Sequence, residues 1–220
     1  MPAKNKIKIF GENVFYHAYN RGYNKQEIFK DDQDFKTFIY LLRKYLEPGF
    51  KERKKAPNGQ EYFIESNHVY KEVDLAAFTL MPNHFHLLVF QKSLQGMTKL
   101  LVRLSSNYSI YFNRKYKFEG SPFQGTYKAV GVETPEQFIH LSRYIHINPY
   151  EVVGREDLAT YQYSSYPYYL SGKFPSWLKE DYILNDFKKS GSYRSFVEDY
   201  LKATEEDKTR ELELISNLLM

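Results

Sequence analysis

Hydrophobic and polar positions along this chain switch between two periods, and the switches mark out its elements. Asn13 to Asn20 (NVFYHAYN) alternates in β-forming residues and predicts a strand, with RGYNK behind it as loop. From Asp31 to Leu46 the apolar step becomes three and four, placing Phe35, Phe38, Leu42 and Tyr45 on one side of an amphipathic helix. Glu47 to Asn67 is polar and punctuated by Pro and Gly, as expected of an inserted loop or hairpin. Two strands follow, Glu72 to Met81 and His84 to Phe90, joined tightly through Pro82 and Asn83. Met97, Leu100, Leu101, Leu104, Tyr108, Tyr111 and Phe112 then recur at helical spacing over Met97 to Tyr116. Gly125 to Val132 alternates again as a short strand. The next helix is the best signposted: Thr134-Pro-Glu-Gln137 supplies an N-cap hydroxyl, a proline at the first helical position and the glutamine of a capping box, and Pro149 stops it. From Tyr150 the chain reads as Tyr-rich loop (YQYSSYPYYLSG), then as helix from Tyr193 to about Leu219, with KATEEDKTREL a solvated face.

Strand, helix, strand, strand, helix, strand, helix is the order of an α+β protein. Its first six elements spell the ferredoxin-like β-α-β-β-α-β arrangement, an antiparallel sheet with two helices on one face. Residues 1–150 form that domain with 47–67 as an insertion, and 151–220 form an extension packed on it that ends in a helix. At 220 residues and 42% hydrophobic content the chain can bury one substantial core. It has no cysteine, so any metal must be held by His, Asn, Gln or carboxylates. No apolar run reaches the roughly 20 residues of a membrane span, and MPAKNKIKIF lacks a leader's apolar centre, so a cytoplasmic protein is expected. A net charge of +4 favours an anionic partner only mildly, but an 18% aromatic content offers rings for stacking on bases as well as for packing.

The chemistry-bearing stretch is MPNHFHLLVF, Met81 to Phe90. In a strand His84 and His86 share a face with Leu88 and Phe90, so two imidazoles lie side by side in an otherwise apolar segment. Two readings stand: hydrogen-bonded strand histidines, or half of a metal site needing one or two more oxygen or nitrogen ligands. On the capped helix Phe138, Leu141 and Ile145 form the apolar stripe, and Tyr144 and Asn148 sit one turn apart along its border. That border can approach the histidine pair, although by position alone Asn148 before Pro149 reads first as a helix-end residue and Tyr144 as a core ring.

The segments YHAYNRGYNKQEIF, LMPNHFHLLV, GSPFQGTYKAV, LSRYIHINPYEVVG and YQYSSYPYYLSG occur in this order between Tyr16 and Gly172. In this the chain resembles the single-tyrosine HUH transposases (His, hydrophobic, His), and more closely their REP-associated tyrosine transposase branch. Tyr150 departs from the small aliphatic residue usual after Asn-Pro. The resemblance implies a metal-dependent endonuclease and strand transferase that acts on single-stranded DNA near hairpins through a 5′-phosphotyrosine. It implies His84, His86 and Asn148 as ligands of Mg²⁺ or Mn²⁺ and Tyr144 as nucleophile. It also suggests a monomer using its own tyrosine. Ligand softness alone would favour zinc or nickel for paired imidazoles. Arg21, Lys99, Arg103, Arg114, Lys128 and Arg143 are candidate phosphate contacts. Two other classes remain open on the residues: a non-catalytic single-stranded DNA or RNA binding module, although RNP-type strings are missing, and a metal phosphodiesterase that activates water without a covalent link.

Overall fold

A computed structural model describes residues 10–188 and 191–219, with the side chains of Arg155 and Glu156 left out; residues 1–9, on which the expectation about a leader falls, lie outside the described residues. The elements are β1 (Val14–Arg21), α1 (Asp32–Leu46), β2 (Lys51–Lys55), β3 (Glu61–Glu65), β4 (Val73–Met81), β5 (His84–Gln91), α2 (Gly96–Tyr116), β6 (Lys128–Gly131) and α3 (Pro135–Ile147). Beyond them come α4 (Tyr150–Leu158), α5 (Tyr166–Ser171), α6 (Asp181–Phe187), α7 (Tyr193–Tyr200) and α8 (Glu205–Leu214). No described helix is long and apolar enough to cross a membrane.

The main sheet runs β4-β5-β1-β6 with every neighbouring pair antiparallel, the strand order of the ferredoxin-like arrangement. The histidine strand β5 is central, in keeping with its apolar patterning. Strand alternation sends Phe85, Leu87 and Val89 to the face covered by α1 and α2, where Phe38 meets Phe85 with ring centres 5.0 Å apart. The helices α1 and α2 are tied by buried Asp34, which accepts from Lys115 Nζ, Tyr111 Oη and Tyr116 Oη, each at 2.7 Å. The opposite face carries Phe15, His17 and Tyr19 of β1 with His84, His86 and Phe90 of β5, and α3 lies across it, with Phe138 packed 4.4 Å from Phe15. The insertion at 47–67 is the exposed hairpin β2–β3.

The segment after Pro149 is helical where its composition predicts loop. Pro149 ends α3 but also starts α4, since its fixed φ of −67° suits a helix start, and a break at Gly154 (φ +74°) interrupts α4. Likewise Ser165, Pro167 and Gly172, turn residues by type, are the start and left-handed stop of α5. The C-terminal helix is two pieces, α7 and α8, parted at 201–204. This extension covers the exposed edge of β4: Ser165 N donates to Phe78 O at 2.9 Å, Leu80 N to Tyr163 O at 2.9 Å and Lys179 N to Leu75 O at 2.8 Å. Tyr161 and Tyr169 donate to the carbonyls of Leu80 and Ala76 at 2.7 Å, and Tyr163 stacks on Phe35 at 3.9 Å, so these tyrosines pack the extension onto the domain.

Candidate active site

Two elements build the site. β5 delivers His84 and His86 side by side, their ring centres 4.9 Å apart and nearly perpendicular. α3 begins where its sequence says: Thr134 Oγ1 accepts from Gln137 N at 3.1 Å, while the glutamine's own oxygen accepts from Glu133 N, one residue before the cap. The buried stripe Phe138, Leu141, Ile145 fixes the helix's rotation on the sheet. That rotation brings Tyr144 over His86, ring centres 5.6 Å apart at 82°, and sets Asn148 Oδ1 3.1 Å from His84 Nε2. Asn148 is also the C-cap of α3, its N–H bonded to Tyr144 O. The four residues that the sequence singles out as catalytic and ligating candidates therefore converge, although His84 and Asn148 are 64 positions apart.

Burial sets the charge state. It holds the His84 imidazole below its ordinary value, opposed by the hydrogen bond that a charged ring would donate to Asn148, and holds His86 well below, assisted by repulsion from His17 and His84. Both rings are accordingly neutral near pH 7. Burial also raises the Tyr144 phenol, against a hydrogen bond with Asn148 that lowers it. The proton positions follow from the partners. Asn83 Nδ2 donates to Lys25 O at 3.4 Å, so its Oδ1 faces His84 Nδ1, at 2.6 Å, and accepts the proton there. A neutral His84 then presents a bare Nε2 to Asn148 Oδ1, two acceptors face to face.

Two acceptors 3.1 Å apart repel unless a cation lies between them, and cis ligands of an octahedral ion at about 2.1 Å are about 3 Å apart. Among the described residues His86 Nε2 has no hydrogen-bond partner although it is buried, a second ring nitrogen left over in the same place. The set His84, His86, Asn148 thus fits a divalent cation. Among the described residues there is no group of three or more His, Cys, Asp or Glu placed to hold a metal, because the third donor here is an amide. An open cavity of about 590 Å³, lined by His84, Tyr144, Asn148, Tyr200, Lys208 and Leu212 among others, leads to the group.

The phosphate candidates divide. Arg21, directly opposite His84 in the β1–β5 register, lines a cleft of about 80 Å³ with Tyr19, Asn20, Gln124 and Lys128, beside the histidines. Arg114 is exposed on α2. Lys99 is engaged by Glu72, and Arg103 donates to Asn67 O at 2.7 Å. Arg143 departs from the expectation of a free surface cation: it is buried, ion-paired with Glu211 of α8, donates to Phe196 O at 3.2 Å, and lies over the rings of Phe196 and Tyr200 at 4.1 and 4.9 Å. Its charge is engaged in holding α7 and α8 against α3. His17 adjoins the histidine pair and is missed by sequence reasoning. It is fully buried on β1, its ring edge to edge with that of His86 and nearly coplanar with it (19°), centres 4.9 Å apart. Alternation could place it on a face with Phe15 and Tyr19, but only strand pairing shows that face to be the one carrying His86.

A ferredoxin-like sheet whose central strand offers two imidazoles to a tyrosine on a crossing helix defines an α+β domain organised around that one face. A family model described as IS200-like transposase matches residues 13–148, the span from β1 through Asn148. The chain belongs to that IS200-like transposase family, and it is a transposase enzyme. Among solved structures, a REP-associated tyrosine transposase bound to a REP hairpin is similar in fold, with 11% identity and a TM-score of 0.51 over 86% of this chain and 96% of that one. A crystal structure from Deinococcus radiodurans R1, provisionally described as a transposase, shares 12% identity over 64% of this chain and 95% of that one, at a TM-score of 0.38. No curated protein matches the sequence.

Proposed function

We propose that this transposase belongs to the REP-associated kind and cuts and rejoins single-stranded DNA beside hairpins, with Tyr144 as nucleophile and His84, His86 and Asn148 as the ligands of Mg²⁺ or Mn²⁺. The observation that carries the reading is the convergence of a tyrosine ring 5.6 Å from His86 with two facing acceptors, His84 Nε2 and Asn148 Oδ1, 3.1 Å apart. The fold relative bound to a REP hairpin supports the choice of substrate.

When bound, the cation supplies charge neutralisation and polarisation of the scissile phosphate. The chain's own residues do the rest. The packed stripe of α3 places Tyr144 over the histidines. Burial keeps its phenol protonated in the resting protein. In the reaction it gives up that proton, its oxygen bonds to phosphorus, and the bond from phosphorus to the 3′ oxygen breaks, the 3′ oxygen leaving as a hydroxyl. The product is a 5′-phosphotyrosine. Attack by a second 3′-hydroxyl reverses the step and joins strands without ATP, because the phosphodiester energy is kept in the covalent link. Arg21 and Lys128 flank the site as phosphate contacts. A single chain brings tyrosine and histidines together, which favours a monomer acting in cis.

The test is Tyr144→Phe. The ring and its packing persist, so the variant folds and binds a hairpin-flanked single strand with unchanged salt dependence, while the covalent protein–DNA adduct disappears. Cleavage at the wild-type rate would instead point to activated water, and a wild type that binds DNA but forms no adduct with any divalent ion would point to a binding module.

A further inference from the structure

We propose that His17 is a positioning residue that fixes the tautomer of His86, so that His86 turns a bare Nε2 toward the site. The role toward a metal rests on the ligand assignment under the proposed function; the tautomer itself does not. His17 Nδ1 lies 2.5 Å from Leu218 O, in the one-turn helix Ser216–Leu218 that follows α8, and His17 Nε2 lies 2.8 Å from His86 Nδ1. A carbonyl only accepts, so the proton between His17 and Leu218 sits on His17 Nδ1. Both rings are fully buried, and among the described residues no carboxylate is bonded to either, so an imidazolium here would lack a counter-charge from them. A neutral His17 with its proton on Nδ1 has a lone pair on Nε2, and that lone pair can only accept. The proton in the 2.8 Å contact therefore belongs to His86 Nδ1.

Everything on His86 follows from that proton. With Nδ1 carrying hydrogen, a neutral ring has no hydrogen on Nε2, the atom left buried and unpartnered beside His84 and Tyr144. In the alternative tautomer Nε2 would carry hydrogen and have no lone pair to offer a cation. Residues behind a ligating imidazole commonly orient it and set its tautomer through the second nitrogen. Here the chain is longer by one ring, running from a main-chain carbonyl of the C-terminal segment through His17 to His86. No sequence motif marks this relay, because His17 meets His86 only across the β1–β5 pair, and Leu218 is 201 residues further along.

The tautomers can be read directly by long-range ¹H–¹⁵N NMR on the full metal-free chain at neutral pH. We expect His17 and His86 both protonated on Nδ1 only; a proton on His86 Nε2 overturns the proposal without any substitution. A Mn²⁺ titration followed by electron paramagnetic resonance tests the consequence. His17→Phe, which removes the acceptor but keeps a buried ring, should weaken Mn²⁺ binding about 10–100-fold, and His17→Gln, whose amide can accept from His86 and donate to Leu218, should restore affinity close to wild type. Wild-type affinity in a folded His17→Phe chain overturns the positioning role. If His17→Phe does not fold, His17→Gln and the NMR of the unmodified chain still decide. A wild type that binds no Mn²⁺ refutes the ligand assignment and with it the metal consequence, while the NMR pattern separately settles the tautomer.

Discussion

Arg143→Met separates a phosphate contact from a structural anchor. The substitution keeps an unbranched chain in place over Phe196 and Tyr200 but removes the charge paired with Glu211 and the donors to Phe196 O and His140 Nδ1. Removing one partner of a buried ion pair costs about 3–5 kcal/mol. Glu211 keeps 26% of its side chain in solvent, so water recovers part of its loss and the lower end, about 3 kcal/mol, is expected. For a chain of this size that lowers the thermal midpoint by about 6–12 °C if the loss is global. If α8 comes away first, hydrogen exchange in 205–214 rises ahead of exchange in the sheet. The two arms are thermal unfolding with hydrogen exchange, and affinity for a single strand measured across a salt series. An anchor leaves the salt slope unchanged, whereas a lost phosphate contact would reduce it by about 0.7. Stability within about 0.5 kcal/mol of wild type together with a reduced slope would refute the anchoring role.

Acid should weaken the fold through His146, a fully buried ring bonded to Tyr193 Oη at 2.6 Å and Ser165 Oγ at 2.7 Å and pushed down by burial to about 3. Its contribution is complete above the unfolded value near 6.5 and is lost as pH falls toward 3, at up to about 1.4 kcal/mol per pH unit, so urea unfolding of His146→Gln should depend less on pH in that window. Asp34→Ala strips five hydrogen bonds, from Lys115, Tyr111, Tyr116 and the N–H groups of Lys30 and Asp31, and leaves Lys115 paired with the half-exposed Asp31, which should cost about 3–5 kcal/mol in denaturant unfolding; a loss under about 1 kcal/mol would mean α1 and α2 do not depend on it. Mixing His84→Ala chains with Tyr144→Phe chains should give no adduct if each chain uses its own tyrosine, and recovered cleavage would place the tyrosine in trans.

What local pattern controls is legible in the sequence. Period-two alternation puts His84 and His86 on one face of a strand, the Thr134 cap and Pro149 bound α3, and spacing of one turn aligns Tyr144 with Asn148; each depends on residues within one element, where backbone geometry alone fixes side-chain direction. The extension reads as loop because Ser165, Pro167 and Gly172 favour turns and helix ends alike, and only the packing of α5 tyrosines against β4 decides for helix. Arg143 looks like any basic surface residue, since its partner Glu211 is far along the chain and α8 meets α3 only after folding. His17 is hidden for the same reason: the register that pairs Tyr19 with His86 is set by the whole sheet. The sequence by itself determined which side chains share a strand face or a helix turn. The tertiary structure decided which of them meet, because hydrogen bonds and burial act over a few ångströms and say nothing about separation along the chain.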